Sequence, residues 1–209
     1  MKPMEIRPIK GADLDAVVRV HILAFPKSAL TKLGKEAIRR YYLWLLNGPH
    51  ESLCIAAFED IEMRGFCFAG VFREALTGFL KRNKSFLAWR VLTHPWLAAN
   101  PLFLNRLNKA RTIIFWRPGN DSPAIHVKKS FGILSIAVDP YSQGAGYGRQ
   151  LMAEVEKVAR ERDFMNMHLS VAVDNNHAIT FYEKLGWQKL PAQDGKWNGS
   201  MAKHLEEVR

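Results

Sequence analysis

The sequence predicts an α/β fold in a single domain, with one stretch set into it that differs in kind from the rest. Helix-period and strand-period runs alternate along the 209 residues. A nearly unbroken apolar run ends at a glycine-rich turn that opens a helix. The surplus positive charge is concentrated in one segment, residues 75–120.

Taken in order, Met4–Pro8 reads as a short strand. Asp13 is placed to cap a helix running to about Phe25, with Leu14, Val17, Val18, His21 and Ile22 at helical spacing. A second helix follows from about Lys35 to Leu46; Ile38, Tyr41, Tyr42 and Leu45 form its apolar stripe and Gly48-Pro49 stops it. Leu53–Phe58 and Gly65–Phe72 are β-rich and joined by an acidic turn near Asp60-Ile61, which makes a hairpin. Cys54 and Cys67 are placed to face each other across it, as reduced thiols. Phe131–Val138 reads as a strand buried on both faces, ended by Pro140. A helix from Gly146 to Arg162 puts Leu151, Val155 and Val158 inward and its charges outward. A strand over Met167–Val173, a helix over Ala178–Leu185 and closing strands at Trp187–Leu190 and Ser200–Leu205 complete the order.

Composition excludes several classes. A hydrophobic share of 48% with 24% charged residues is that of a globular chain, not a disordered one. Met1–Lys10 has no signal-like apolar core, and the uncharged run Val91–Asn105 is fifteen residues long and cut by Pro95 and Pro101, too short to span a bilayer. Two cysteines make neither a disulfide framework nor a metal set, so no metal is expected, and the expected compartment is the cytoplasm. The net charge of +10 is uneven. Residues 1–74 hold eleven basic and nine acidic groups, and residues 121–209 eleven of each. Residues 75–120 hold eight basic groups (Lys81, Arg82, Lys84, Arg90, Arg106, Lys109, Arg111 and Arg117) and no acidic one. Within this segment one short helix is expected around Phe79–Val91 and a second over Phe103–Ile114, separated by prolines. The segment is read as an insertion in a single domain of residues 1–209.

The stretch most informative about chemistry runs from Val138 to Arg149. Three glycines in five residues, Gly144, Gly146 and Gly148, permit positive φ and close approach of a ligand. The N–H groups of a helix start point outward there, where the helix dipole favours an anion. The turn lacks the Gly-Lys-Ser/Thr of a Walker loop and has G-x-G-x-G spacing, not the dinucleotide G-x-G-x-x-G. Downstream stands Asn175-Asn176-His177-Ala178-Ile179-Thr180-Phe181-Tyr182-Glu183-Lys184-Leu185-Gly186-Trp187.

With these two motifs in this order the chain resembles the GNAT superfamily of acyl-CoA N-acyltransferases. Gln143, Gly146 and Gly148 match its Gln/Arg-x-x-Gly-x-Gly/Ala turn. Asn175, Ala178, Phe181, Tyr182, Gly186 and Trp187 match its later motif, and Leu134–Val138 fits its preceding strand. The resemblance is strong over 133–190, weaker over 1–72 and absent from the basic segment. It implies a mixed central sheet, flanked by helices on both faces and splayed between the strand ending at Val138 and the strand Met167–Val173. It implies acetyl-CoA as cosubstrate. Backbone groups around Ile136, Ala137 and Val138 would pair with the pantetheine, the amides of Gly144, Ala145, Gly146, Tyr147, Gly148 and Arg149 would hold the pyrophosphate with Gln143 beside them, and Asn175 would contact the cofactor arm. Tyr182 would lie near the thioester sulfur and, as a phenol, protonate the departing thiolate.

Some polypeptide acetyltransferases of the superfamily carry a glutamate where this chain has Ser170. His168, two residues earlier on the same strand face, His126 and a water relay are the alternatives for the base. The expected acceptor is a small anionic amine such as an amino sugar, met by a basic, aromatic wall of Trp89, Trp96, Phe103 and Trp116. A polypeptide amine is the alternative. A third reading makes residues 75–120 a module for an anionic membrane surface, with catalysis secondary or lost. No nucleic-acid-reading motif accompanies the charge, so nucleic acid is not the expected partner.

Overall fold

The computed structural model describes residues 4–72, 74–93, 130–191, 195 and 197–205. The chain divides into two units, Met1–Ile9 with Glu51–Phe72 and His126–Arg209, and Lys10–His50 with Arg73–Ile125.

The first unit is built on seven strands: β1 Met4–Pro8, β2 Glu51–Glu59, β3 Glu62–Val71, β4 Ser130–Val138, β5 Asn166–Ser170, β6 Gln188–Pro191 and β7 Trp197–His204. They form one sheet in the order β1-β2-β3-β4-β5-β7-β6. Every neighbouring pair is antiparallel except β4 and β5, so the sheet is mixed, as expected. The β2–β3 hairpin turns where expected, with Asp60 left-handed at φ 55°. Its cysteines do not face each other. Ile55 stands opposite Cys67 and Cys54 opposite Phe68, so the pleat sends the two thiols to opposite sides of the sheet. Both are free and buried, and burial pushes the Cys54 thiol up to about 11.

Among the described residues two helices belong to this unit, α6 Tyr147–Glu161 and α7 Asn176–Lys184. Leu151, Met152, Val155 and Ala159 of α6 and Tyr182 of α7 join Ile55, Ala57, Cys67, Phe131 and Met167 in one buried cluster. Leu151 and Val155 face inward as read, but Val158 is only partly buried and Met152 and Ala159 complete the stripe; the charges hold one further exception. Glu156, expected outward, is buried, and Lys203 of β7 compensates it. The Lys203 ammonium donates to both Glu156 oxygens at 2.7 and 2.8 Å and to the Leu185 carbonyl at 2.6 Å. Three elements are thereby tied by one charge-assisted node.

The second unit contains α1 Leu14–Ala24, α2 Ala29–Leu33, α3 Lys35–Asn47, α4 Ala75–Arg82 and α5 Lys84–Thr93. Asp13 does not cap α1 with its side chain: a single 3-10 turn, Gly11–Asp13, is interposed, and the carboxylate accepts from the Lys10 amide at 2.8 Å. The short α2 was not expected. Its signal was Ser28, whose hydroxyl accepts from the Thr31 amide at 3.0 Å as an N-cap. The helix expected around Phe79–Val91 is two helices, broken at Asn83, whose side-chain amide donates to the Phe79 carbonyl at 2.9 Å. The expected helix over Phe103–Ile114 lies outside the described residues.

A directed chain of hydrogen bonds joins α1, α2 and α3. Thr31 Oγ1 donates to the Phe25 carbonyl at 2.7 Å, and Ser28 Oγ donates to Thr31 Oγ1 at 2.9 Å. The Ser28 oxygen therefore accepts from His21 Nε2–H at 3.2 Å, and His21 Nδ1 accepts from the Tyr42 hydroxyl at 2.9 Å. This assignment uses a neutral imidazole, and burial pushes the His21 pKa down to about 4.

Candidate active site

The parallel pairing of β4 with β5 is short. It joins Ser130–Ile133 to Asn166–Leu169 and then stops. Beyond it, Ser135 to Val138 pair only with Phe68 to Gly65 of β3, while Ser170 pairs with Ser200 of β7 and the Val171 amide donates to the Gly199 carbonyl at 2.9 Å. Among the described residues, β4 from Leu134 to Val138 thus has no strand paired with it on the β5 side. A strand edge with no strand alongside is one that an extended chain can join by main-chain pairing. Leu134, expected to be buried, is 39% exposed where this gap begins, and β4 is shielded fully only at Phe131–Ile133 and Ala137. Ile136 and Val138 are partly buried against the core cluster.

The glycine-rich turn lies at the end of that edge. Asp139 is buried and holds it: its backbone amide donates to the Arg64 carbonyl at 2.7 Å and its carboxylate accepts from the Tyr141 amide at 3.1 Å. Gly144 and Gly146 have φ of 84° and 91°, which L side chains rarely adopt. A Cβ at either would meet nothing within 4 Å, so the space over the turn is open. The first helical bond of α6 runs from the Gln150 amide to the Gly146 carbonyl at 3.0 Å. The amides of Tyr147, Gly148 and Arg149 precede it and have no intrahelical acceptor, at the positive end of a fifteen-residue helix. Gln143, Gly144, Ala145, Gly146 and Arg149 are exposed, whereas the Tyr147 side chain turns into the core.

Tyr182 is 8% exposed, in the cluster that contains Cys67. Its phenol is pushed well above the ordinary range, by burial first and by the Cys67 thiol second. Cys67 pairs with Ile136, so the phenol is held close to the open edge of β4. Asn175 caps α7, its Oδ1 accepting from the Ala178 amide at 3.1 Å. That capping role was not foreseen, although Asn is a common N-cap.

His168 stands on β5 between Gly132 of β4 and Ala202 of β7, with Ser170 two residues on along the same strand face. Its Nδ1 is 2.8 Å from Ser130 Oγ, and its ring occupies the space a Cβ at Gly132 would need, 2.8 Å from Nε2. The ring is open to solvent on its outer side; partial desolvation against the sheet lowers its pKa from the ordinary imidazole value. Ser130 was the partner that sequence reading missed, since only the β4–β5 register brings it near. His126, Trp96, Phe103 and Trp116 lie outside the described residues. Among the described residues no group of three or more His, Cys, Asp or Glu side chains is arranged to hold a metal, and no helix is long and apolar enough to cross a membrane.

Residues 106–187 match the family model described as the acetyltransferase (GNAT) family. The match begins inside the basic segment, where the sequence reading found no resemblance. No curated protein matches the chain. Among solved structures it is similar to the ribosomal-protein-S18-alanine N-acetyltransferase of Escherichia coli, with a TM-score of 0.58, 17% identity, and coverage of 99% of this chain and 97% of that one. It is also similar to the PaiA N-acetyltransferase of Thermoplasma acidophilum in complex with coenzyme A (TM-score 0.59, 14% identity, 97% of this chain and 99% of that one). A third likeness is to YncA of Salmonella typhimurium, a putative acetyltransferase with its cofactor acetyl-CoA (TM-score 0.53, 18% identity, 98% and 95%). At these identities the likeness is one of fold.

Proposed function

We propose that this chain, whose residues 106–187 match the acetyltransferase (GNAT) family model, is an acetyl-CoA-dependent acetyltransferase that acetylates a primary amine on a small anionic acceptor, such as an amino sugar, by direct attack. The observation that carries the acceptor class is the composition of the opening. β4 (SFGILSIAV) and β5 (NMHLS) contain no carboxylate, so an anionic acceptor meets no like charge from the strands that flank the gap, and a cationic lysine side chain finds no partner on them.

The residues present fit the acyl donor. The amides of Gly144 to Arg149 and the side chain of Gln143 would hold its pyrophosphate, the free edge around Ile136, Ala137 and Val138 its pantetheine amides, and Asn175 its arm. When bound, acetyl-CoA supplies the electrophilic thioester carbonyl and the thiolate leaving group. The acceptor ammonium has to lose a proton before attack. His168 is the candidate among the described residues with an orienting partner: with Ser130 Oγ accepting from Nδ1–H, Nε2 keeps its lone pair. Tyr182 is protonated throughout the working range and is the group proposed to meet the developing thiolate.

The test is thiol release from acetyl-CoA over amino-sugar phosphates, amino-sugar nucleotides and peptides with free amino termini, in the wild type and in His168→Gln. The expected outcome is turnover with the anionic amines, and a loss in His168→Gln that grows as pH falls toward the imidazole range. Preference for the peptides would overturn the acceptor class; unchanged turnover in His168→Gln would remove the base.

A further inference from the structure

We propose that the outward face of α5 is an interfacial anchor that seats this protein on an anionic lipid surface. The inward face of α5 already satisfies its packing. Phe86 and Leu87 pack on the buried Leu33 and Ala37, and the Arg40 guanidinium lies 4.5 Å from the Phe86 ring centroid. Arg90 is drawn inward as well, donating from Nε to the Leu33 carbonyl at 2.9 Å. Among the described residues the packing of α5 uses this side alone, and the other side carries Trp89 at 57% exposure and Leu92 at 80%. Ala88 stands on the same exposed face, one turn from both Lys84 and Leu92.

Charge selects the occupant. Lys81, Arg82 and Lys84 stand exposed at the junction of α4 and α5; Lys81 is paired at 3.5 Å with Glu74, and the Arg82 guanidinium lies 4.6 Å from the Trp44 ring centroid. From Ala75 to Asn120 the sequence has eight basic residues and no acidic one. A second copy of this chain would bring like charges together. Two large apolar side chains and an alanine on a ten-residue helix are also far less than a stable protein interface requires. An anionic bilayer removes both objections: its charge is complementary and each cation near the surface adds to the attraction. In that arrangement Leu92 reaches the acyl boundary, Trp89 sits at the headgroup level where its indole is favoured, and Lys84 meets lipid phosphate. The proposal is independent of the acceptor assigned above.

The experiment is co-sedimentation of the full chain with vesicles of phosphatidylcholine alone or mixed with phosphatidylglycerol, at low and high salt. The wild type is expected to bind only the mixed vesicles and to be released by salt. The double variant Trp89→Ser/Leu92→Ser is expected to bind about tenfold more weakly, and Lys84→Glu to lose affinity with the apolar face intact. Ile61→Ser removes an exposed apolar side chain from the β2–β3 turn, in the other unit, and is expected to bind as the wild type does. Circular dichroism of each variant checks the fold. Absence of binding to anionic vesicles, or equal binding by the wild type and both α5 variants, would overturn the proposal. Sedimentation without lipid that shows a dimer dissociated by Trp89→Ser/Leu92→Ser would assign the face to a second copy instead.

Discussion

The opening between β4 and β5 and the outer face of α5 differ in what carries their chemistry. At the opening the groups proposed to bind the donor are mostly backbone: a strand edge with no strand beside it among the described residues, and the first amides of α6 behind two left-handed glycines. The side chains proposed to act there are few: Gln143 and Asn175 toward the donor, Tyr182 from the core cluster and His168 from the strand beside the gap. On α5 the backbone is satisfied within the helix, and everything offered to a partner is side chain: Trp89, Leu92 and Lys84. A backbone site demands a particular fold and a few glycines, and tolerates wide variation elsewhere. A side-chain surface demands no particular fold. The contrast teaches that a backbone site can be shared by very dissimilar sequences, whereas a side-chain surface is particular to one chain.

That contrast can be broken by perturbing each unit separately. The largest effect is expected from Tyr182→Phe. Steady-state turnover should fall about a hundredfold or more if the phenol protonates the leaving thiolate, with calorimetric affinity for coenzyme A unchanged. Because burial and Cys67 raise the phenol, its own ionisation should give the wild type no alkaline limb in the ordinary assay range.

A smaller effect, on stability, is expected in the second unit. His21 has a folded pKa of about 4, below the ordinary 6.5. Between those values the unfolded chain binds a proton that the folded chain does not, so stability is intact above pH 6.5 and declines as pH falls toward 4. The loss amounts to about 3 kcal/mol at most. Urea unfolding across that range should show the decline in the wild type and a flatter profile in His21→Gln, relative to that variant's own stability at neutral pH. Equal slopes would show that the His21–Tyr42–Ser28 chain does not exclude the charged imidazole.

Much of the first unit was legible in advance, for reasons that particular residues make plain. Gly144 and Gly146 are needed for positive φ, and the order of the two motifs located the turn, the strand before it and α7. The apolar run ending at Val138 announced β4, though not the exposure of Leu134, because a gap in strand pairing leaves no mark on a single strand. Ser130 beside His168, Lys203 beside Glu156 and the cysteine offset depend on register between distant segments, which hydrophobic spacing does not encode. In the second unit the stripe of Ala37, Ile38, Tyr42 and Leu45 was readable in part. The break at Asn83 and the short α2 were not, since each rests on one side-chain hydrogen bond that competes with helix continuation.

The central claim is that the backbone turn of the first unit binds the acyl donor. Calorimetric titration with coenzyme A of the wild type and of Gly146→Val tests it most directly. A Cβ at Gly146 meets no atom within 4 Å, so the substitution acts through φ and not through a clash with the protein. Forcing a β-branched residue toward φ 91° costs at least about 1–2 kcal/mol and displaces the amides that follow. The wild type should bind, Gly146→Val should bind tenfold more weakly or worse, and Trp89→Ser/Leu92→Ser should titrate like the wild type. Binding by Gly146→Val as tight as the wild type's, or none by the wild type, would contradict the claim.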